Sequence, residues 1–411
     1  MPGSWYGQQR EVAVARGGAL VLGRALHGPW NEGTRVIGRN IATIAAPFRP
    51  VRAVSLTQHQ YLGQAAEYAF IEHVPAHGSY GAVSDYLSLA RLARHIDRVV
   101  ASMSISIAHL TEVPLALAPW LHRRGIRVIV HRTIVEQPYL SPVERFRASA
   151  GWRVFDPWID AYALSSPALF KPLAAKGVAP AKMTLVPAPI DTNLYQPGDK
   201  ATVRARLGLN HNELLVLYVG TLSPLRFPTP IIREGLQRAA AQLGAPIRLI
   251  GFAPAKTHAY NQQWYQEVHG QLQAIPGVTA TINLADLTDS EKAAWFQAAD
   301  LVLVPFTAPV AIDPPLTMVE AMACGALVLA TPQANRSALI DTGCNGLLFE
   351  TASDLAQALC TYHQRSQAWA AQLCRSARAT VLQRHSFRAA TEAMTLLWDK
   401  LERGTGHADK G

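Results

Sequence analysis

The segment Leu301-Val302-Leu303-Val304-Pro305 is followed, after a short loop, by Ile312-Asp313-Pro314-Pro315-Leu316-Thr317-Met318-Val319-Glu320-Ala321-Met322-Ala323-Cys324-Gly325. The first part is a short apolar run closed by proline, the pattern of a buried strand. Two prolines then preset φ for a helix start, Ala321 to Ala323 favour helix, and Gly325 suits the left-handed position just past its end. The same strand-then-helix unit recurs in both directions. Leu214–Val219, Ile247–Gly251, Val278–Asn283, Leu327–Ala330 and Gly346–Phe349 read as further strands of this half. Thr288 to Glu291 and Thr351 to Asp354 have capping-box spacing and mark helix starts. Upstream, Ala19–Leu22, Arg52–Leu56, Val99–Met103, Arg127–Val130, Ala161–Ser165 and Lys182–Val186 read as strands. Helices over Gly33–Ala45, Ala82–His95 and Val113–Arg123 lie between them. Alternation of this kind predicts parallel sheets with helices on both faces.

The alternation breaks once, at the turn-rich run Pro187 to Gly198. The expected organisation is therefore two doubly wound, Rossmann-like domains facing across a cleft, over residues 1–195 and 196–385. A last helix and polar tail, 386–411, follow without a further strand. The helix, Phe387 to Arg403, carries Ala390, Met394, Leu397 and Leu401 at helical spacing, so it should bury that face back on the first domain.

Composition narrows the class. The 411 residues are 49% hydrophobic, with 9 Trp, 12 Tyr and 11 Phe, which excludes a disordered chain. Cys324, Cys344, Cys360 and Cys374 form no CxxC pair, so neither a disulfide framework nor a zinc site is expected. Met1 to Gln9 lacks the basic-then-apolar pattern of a secretion signal. The long weakly charged run Val99 to Arg123 is interrupted by His109, Glu112 and Pro114, unlike a membrane span. A cytoplasmic protein is expected. The net charge of +9 is uneven: residues 1–195 carry 20 Lys/Arg against 12 Asp/Glu, and the rest is nearly balanced. A basic half suits an anionic partner or is simply a solvated surface. Arg145, Arg147 and Arg153 interleave with Phe146, Trp152, Phe155 and Trp158, which fits either a helix on anionic lipid or aromatics packed on a sheet. No nucleic-acid-binding module is visible.

Three segments carry chemistry. The first amides of the helix at Leu316, Thr317 and Met318 form an anion site reinforced by the helix dipole. Glu320, one turn in, is placed to accept hydrogen bonds from sugar hydroxyls. An ordinary capped helix with a surface glutamate fits the same spacing. In Leu215 to Arg226, an apolar strand meets Gly220, Thr221 and a hydroxyl-bearing loop where phosphate can approach backbone. Arg226 would add a forked cation for a diphosphate, unless it is only a surface charge. Finally, His27 to Arg35 places Gly33 at a helix start after the first strand.

These segments, in this order, resemble the retaining glycosyltransferases of family 4, which have the GT-B fold. Ile126 to His131, Lys182 to Tyr195, Ala298 to Pro305 and Leu339 to Phe349 resemble further stretches of that family. The resemblance implies transfer of a sugar from a UDP- or GDP-sugar to a glycan, lipid-linked or other acceptor, with retained anomeric configuration. The nucleotide sugar is a substrate; no cofactor and no bound metal are implied. His131 would lie beside the transferred sugar and Glu320 would bind ribose. Gly220, Thr221, Arg226 and the Leu316, Thr317 and Met318 amides would hold the diphosphate, with Gly33 approaching it from the other domain. Trp30, Asn31 and Glu32 would meet the acceptor, although Trp30 equally fits a hydrophobic staple. Peripheral contact with an anionic inner-membrane face accompanies this reading.

Three departures stand out. The family typically has a second glutamate eight positions before Glu320; here that position is Ile312, and Asp313 is its nearest substitute. A basic residue usually follows the loop glycine where this chain has Thr221, and Arg226 stands where the family has lysine. A catalytically weak or inactive binding protein, or a nucleotide-sugar epimerase on the same fold, therefore remains an alternative.

Overall fold

The computed structural model describes residues 17–24, 26, 32–57, 68, 70–75, 83–111, 115–134, 153–254, 262–309 and 312–403. The chain divides into two compact units. Residues 1–133, 139–189 and 387–411 form the first, and residues 134–138 with 190–386 form the second.

The first unit holds β1 (Gly18–Arg24), β2 (Val51–Thr57), β3 (Ile71–Pro75), β4 (Ile105–Thr111), β5 (Arg127–Arg132), β6 (Ala161–Leu164) and β7 (Met183–Leu185). They form one sheet in the order β3-β2-β1-β4-β5-β6-β7, parallel throughout. Its helices are α1 (Gly33–Ala45), α2 (Val83–Ser102), α3 (Ala118–His122) and α4 (Phe170–Ala175). The second unit holds β8 (Leu214–Val219), β9 (Ile247–Ala253), β10 (Val278–Leu284), β11 (Leu301–Val304), β12 (Leu327–Ala330) and β13 (Leu347–Leu348). These are also wholly parallel, in the order β10-β9-β8-β11-β12-β13. Around them lie α5 (Lys200–Arg206), α6 (Thr229–Leu243), α7 (Gln262–Gln273), α8 (Asp289–Ala298), α9 (Leu316–Ala323), α10 (Ala352–Gln364) and α11 (Gln367–Arg384). The last helix, α12 (Phe387–Arg403), belongs to the first unit and packs on α1.

Uninterrupted burial along β11 and β12 explains why these strands read as pure apolar runs: a parallel sheet is covered on both faces. One face of the second sheet packs Val216, Tyr218, Leu249 and Leu301 against Ile232 and Leu236 of α6 and Leu355 and Leu359 of α10. α6 and α10 approach closely at Gly235, where a Cβ would lie 2.7 Å from Leu355 Cδ2. Both expected capping boxes form, at Thr288 with Glu291 and at Thr351 with Asp354. Gly325 takes φ 73° directly after the end of α9, as its placement requires.

In each sheet the strand order runs outward in opposite directions from a central pair, β1 with β4 and β8 with β11. The carboxyl ends of such pairs open a crevice where ligands bind doubly wound sheets. The far end of the second sheet is instead closed by Asp300, which accepts hydrogen bonds from Leu215 N (2.8 Å), Lys200 Nζ (3.0 Å) and Tyr362 Oη (3.0 Å), and from Arg204. Burial alone would raise the Asp300 carboxyl, but Lys200 and Arg204 outweigh it and hold its pKa below the ordinary value.

Three local expectations are corrected. Val99–Met103 is not a strand: α2 runs on to Ser102, and β4 starts at Ile105. Leu92, Ile96 and Val99 are all buried, and their spacing of four and three is helical. The helix expected over Val113–Arg123 shrinks to Ala118–His122 behind a 3-10 turn at Leu115–Leu117. Strand β3 is an addition to the expected strands, at the edge of the first sheet.

Candidate functional site

The crevice of the second unit is built by the loops leaving β8 and β11. After β8 the chain bends at Gly220, where a Cβ would crowd Tyr218 Oη at 3.3 Å. Tyr218 Oη donates to Thr221 O at 2.8 Å, and its ring meets Phe227 edge-on at 4.8 Å, so the loop rests on a buried aromatic pair. Ser223 O accepts from Arg226 N at 3.0 Å and Phe227 N at 2.7 Å, a tight turn that fixes where Arg226 leaves the backbone. The loop after β11 is tied to it: Thr307 N donates to Leu225 O at 2.9 Å, and the Arg226 guanidinium lies 5.9 Å from the Phe306 ring.

The start of α9 is pinned to the same place. Thr317 Oγ1 donates to Val219 O at 3.2 Å, joining the first turn of the helix to the last residue of β8. Thus Gly220, Thr221, Arg226, Leu316 and Thr317 converge at the ends of β8 and β11. The expected three-amide cradle is narrower. Met318 N and Val319 N both donate to Pro315 O, at 3.0 and 3.2 Å. The first turn is tight enough to commit the Met318 amide, so the expected anion site would reduce to the amides of Leu316 and Thr317. At the other end of α9, Arg378 Nη1 donates to Ala323 O at 2.6 Å, a cation on the negative end of the helix dipole.

Glu320 is not a surface residue: it is 2% exposed, and its Oε1 lies 3.3 Å from Lys292 Nζ. Lys292 also bonds Asp289 Oδ1 at 2.9 Å and sits 5.5 Å over the Tyr195 ring, while Tyr195 Oη donates to Asp289 at 3.1 Å. Burial disfavours the Lys292 ammonium, yet Glu320 and Asp289 together hold its pKa above the ordinary value. One Glu320 oxygen is therefore engaged by Lys292, a residue that no local sequence pattern marks. Asp313 is 5% exposed and follows Ile312, which pairs with Ile134. With Phe306, Pro315 and Arg336, Asp313 lines a small cavity.

In the first unit, Gly33 opens α1, with Glu32 preceding it in extended conformation and ion-paired to Arg35 Nε at 3.0 Å. Trp30, Asn31 and most of the Arg and aromatic stretch before Arg153 lie outside the described residues. His131, near the end of β5, is 8% exposed and lines a small cavity with Ile41, Thr133, Ser165 and Pro189. Its Nε2 lies 2.9 Å from His109 Nδ1 of β4, and His109 Nε2 accepts from Trp398 Nε1 of α12 at 3.1 Å. Burial lowers the His131 pKa to about 3. Burial, reinforced by His131 and Arg49, also lowers that of His109 well below the ordinary value. Both rings are neutral at physiological pH. Among the described residues, no group of three or more His, Cys, Asp or Glu could hold a metal ion, and no helix is long and apolar enough to cross a membrane.

Two all-parallel Rossmann-like sheets, each with its own switch point, define the GT-B fold. Solved structures share it. The chain aligns over 94% of its length with all of HepE from Anabaena, crystallised with UDP and glucose (TM-score 0.70, 18% identity). It also aligns over 95% with all of the sucrose-phosphate synthase of Thermosynechococcus elongatus (TM-score 0.72, 18% identity). Residues 213–365 match the family Glycosyl transferases group 1, so the second unit carries a domain of that family. Curated relatives include D-inositol 3-phosphate glycosyltransferases. That of Catenulispora acidiphila is 30% identical over 43% of this chain and 42% of its own length. That of Mycobacterium bovis is 28% identical over 55% of this chain and 43% of its own. The chain thus spans under half the length of these relatives.

Proposed function

We propose that the protein is a glycosyltransferase that moves a sugar from a nucleoside-diphosphate donor to a glycan or lipid-linked acceptor, with retention and without a metal. The observation that carries this reading is the Thr317–Val219 bond. It places the open end of α9 beside the Gly220 loop and Arg226, at the switch point of the second sheet. There the Leu316 and Thr317 amides and the Arg226 guanidinium take the diphosphate. Positive charge fixed where the leaving group becomes negative stabilises the transition state more than the ground state, and needs no protein nucleophile. Glu320, steadied by Lys292, takes the ribose through the oxygen that lysine leaves. His131 serves the transferred sugar, Asp313 stands in for the missing glutamate, and Gly33 with Trp30, Asn31 and Glu32 serves the donor phosphate and acceptor. A cytoplasmic enzyme touching an anionic membrane face fits the basic first half of the sequence. A second reading, nucleotide-sugar binding with little or no turnover, is favoured by Ile312 being 8% exposed where the family has a glutamate.

UDP is the first nucleotide to test, because HepE binds it. At about 100 times its Kd, a ligand stabilises the native state by roughly 2.7 kcal/mol. One of UDP, GDP and ADP is expected to raise the melting temperature, and Arg226→Ala is expected to abolish that rise. Transfer from the matching nucleotide sugar separates the two readings. If none of the three nucleotides shifts the melt, the donor-binding assignment is wrong.

A further inference from the structure

We propose that Trp398, on the C-terminal helix, is a positioning residue for His131, acting through His109 to fix which ring nitrogen of His131 carries the proton. This rests on the reading of His131 as the residue beside the transferred sugar. An indole N–H can only donate, and a neutral imidazole has one donor and one acceptor nitrogen. Trp398 Nε1 lies 3.1 Å from His109 Nε2, so that nitrogen accepts and carries no hydrogen. The His109 proton is therefore on Nδ1, which lies 2.9 Å from His131 Nε2. That nitrogen accepts in turn, and neutral His131 keeps its proton on Nδ1, on the opposite edge of the ring.

The far end of the relay is rigid. Trp398 is fully buried. The Arg49 guanidinium stacks 4.3 Å from its ring, and Arg49 bonds Glu402 of the same helix at 2.9 Å and Gly17 O at 3.3 Å. A second proton on His109 would set two N–H groups against each other across 3.1 Å, and one on His131 would do so across 2.9 Å. Burial of both rings works in the same direction. The relay therefore offers Nδ1–H of His131 as a fixed, uncharged hydrogen-bond donor. It serves a hydroxyl or phosphate oxygen of the substrate and does not take up a proton in turnover. A helix at the end of the chain thus sets the chemistry of a strand that precedes it by more than 250 residues.

The test uses the full-length protein with 15N-labelled histidine. Long-range nitrogen–proton correlations of the wild type are expected to show both rings neutral with hydrogen on Nδ1. Trp398→Phe keeps an aromatic ring but removes the donor. It is expected to give His131 a mixed tautomer and to lower kcat roughly tenfold with the donor KM unchanged, about 1.4 kcal/mol in the transition state. Should that variant fold poorly, His109 supplies an independent pair. Gln offers one acceptor and one donor and is expected to keep the His131 tautomer, whereas Leu is expected to lose it. A His131 ring that stays Nδ1–H in both Trp398→Phe and His109→Leu overturns the relay. A changed tautomer with unchanged kcat overturns the positioning role while leaving donor binding intact. Absence of transfer by the wild type, with nucleotide binding retained, overturns the enzyme reading and the positioning role together, and the NMR result shows that failure to be distinct from failure of the relay.

Discussion

Lys292→Met is expected to destabilise the second unit by about 3–5 kcal/mol at neutral pH, the typical loss when one partner of a buried ion pair is removed. Lys292 is 7% exposed and Glu320 2%. The methionine side chain fills much of the same space, so the effect isolates charge from packing. Glu320 and Asp289 would be left as two carboxylates with no ammonium between them. An unpaired buried carboxylate takes up a proton more readily, so the deficit should shrink as pH falls, the opposite of ordinary acid denaturation. Replacing Glu320 with Leu in the same chain is expected to recover much of the loss, because an apolar pair of similar volume is often as stable as a buried ion pair. Urea unfolding of the two variants at several pH values checks this. A loss below about 1 kcal/mol, the range of solvent-exposed pairs, would mean that water reaches Glu320 and that Lys292 does not steady it. Nucleotide-induced melting shifts on the same samples then separate a ribose-binding Glu320 from a structural one. The variant that keeps stability without the carboxylate should lose the shift.

Features set by neighbours in the chain were the legible ones. The capping boxes at Thr288 and Thr351, the bounds of α1 and α12, and the turn at Gly325 each depend on residues within one helical turn. Their residue types state the geometry. Val99–Met103 misled because adjacent β-branched residues favour a strand locally, while the wider period from Leu92 through Ile96 to Val99 is helical. β3 carries Glu72 and His73 and ends at Pro75, so it lacks the apolar run that marked the central strands; it is an edge strand, where less burial is demanded. The site was legible as segments and not as partners. The position of Glu320 on its helix followed from spacing, but Lys292 lies 28 residues away, and nothing local points it inward. His131 is recognisable from its own strand, whereas its relay through His109 ends on a tryptophan 289 residues beyond that histidine. Met318 drops out as a free amide donor for a similar reason, because only the folded turn shows its N–H already donating to Pro315 O.

The same histidine pair gives the largest predicted dependence on pH. In the unfolded chain both rings titrate near about 6.5, whereas in the folded first unit His131 is lowered to about 3 and His109 also lies well below its ordinary value. Below pH 6.5 the unfolded state therefore binds more protons than the native state, and stability falls with acidification. The stabilising contribution is fully present above that pH and is lost progressively down to the folded values. A ring that stays neutral costs up to about 1.4 kcal/mol per pH unit in this window, so between pH 6.5 and 4.5 His131 alone removes roughly 2–3 kcal/mol, and His109 adds a loss of the same sign. That is a large share of the stability of a modest domain. Among the described residues, the charged groups facing the pair give no relief. Arg49, stacked on Trp398, opposes a positive charge, and Glu402 is engaged by Arg49. Ile41 and Met394, which line the cavity beside His131, are apolar. Paired carboxylates elsewhere, Asp300 among them, add a loss of the same sign but at lower pH, because their transitions begin near the ordinary carboxyl range. His109→Gln removes one of the two titrating rings while keeping a donor and an acceptor in the relay. Its stability should fall less steeply than that of the wild type between pH 6.5 and 5, with His131 left to contribute at most about 1.4 kcal/mol per unit. Chemical unfolding followed at half-unit intervals reads this slope directly. Equal slopes in the two proteins would mean that His109 is protonated in the native state, which would contradict its role as acceptor from Trp398.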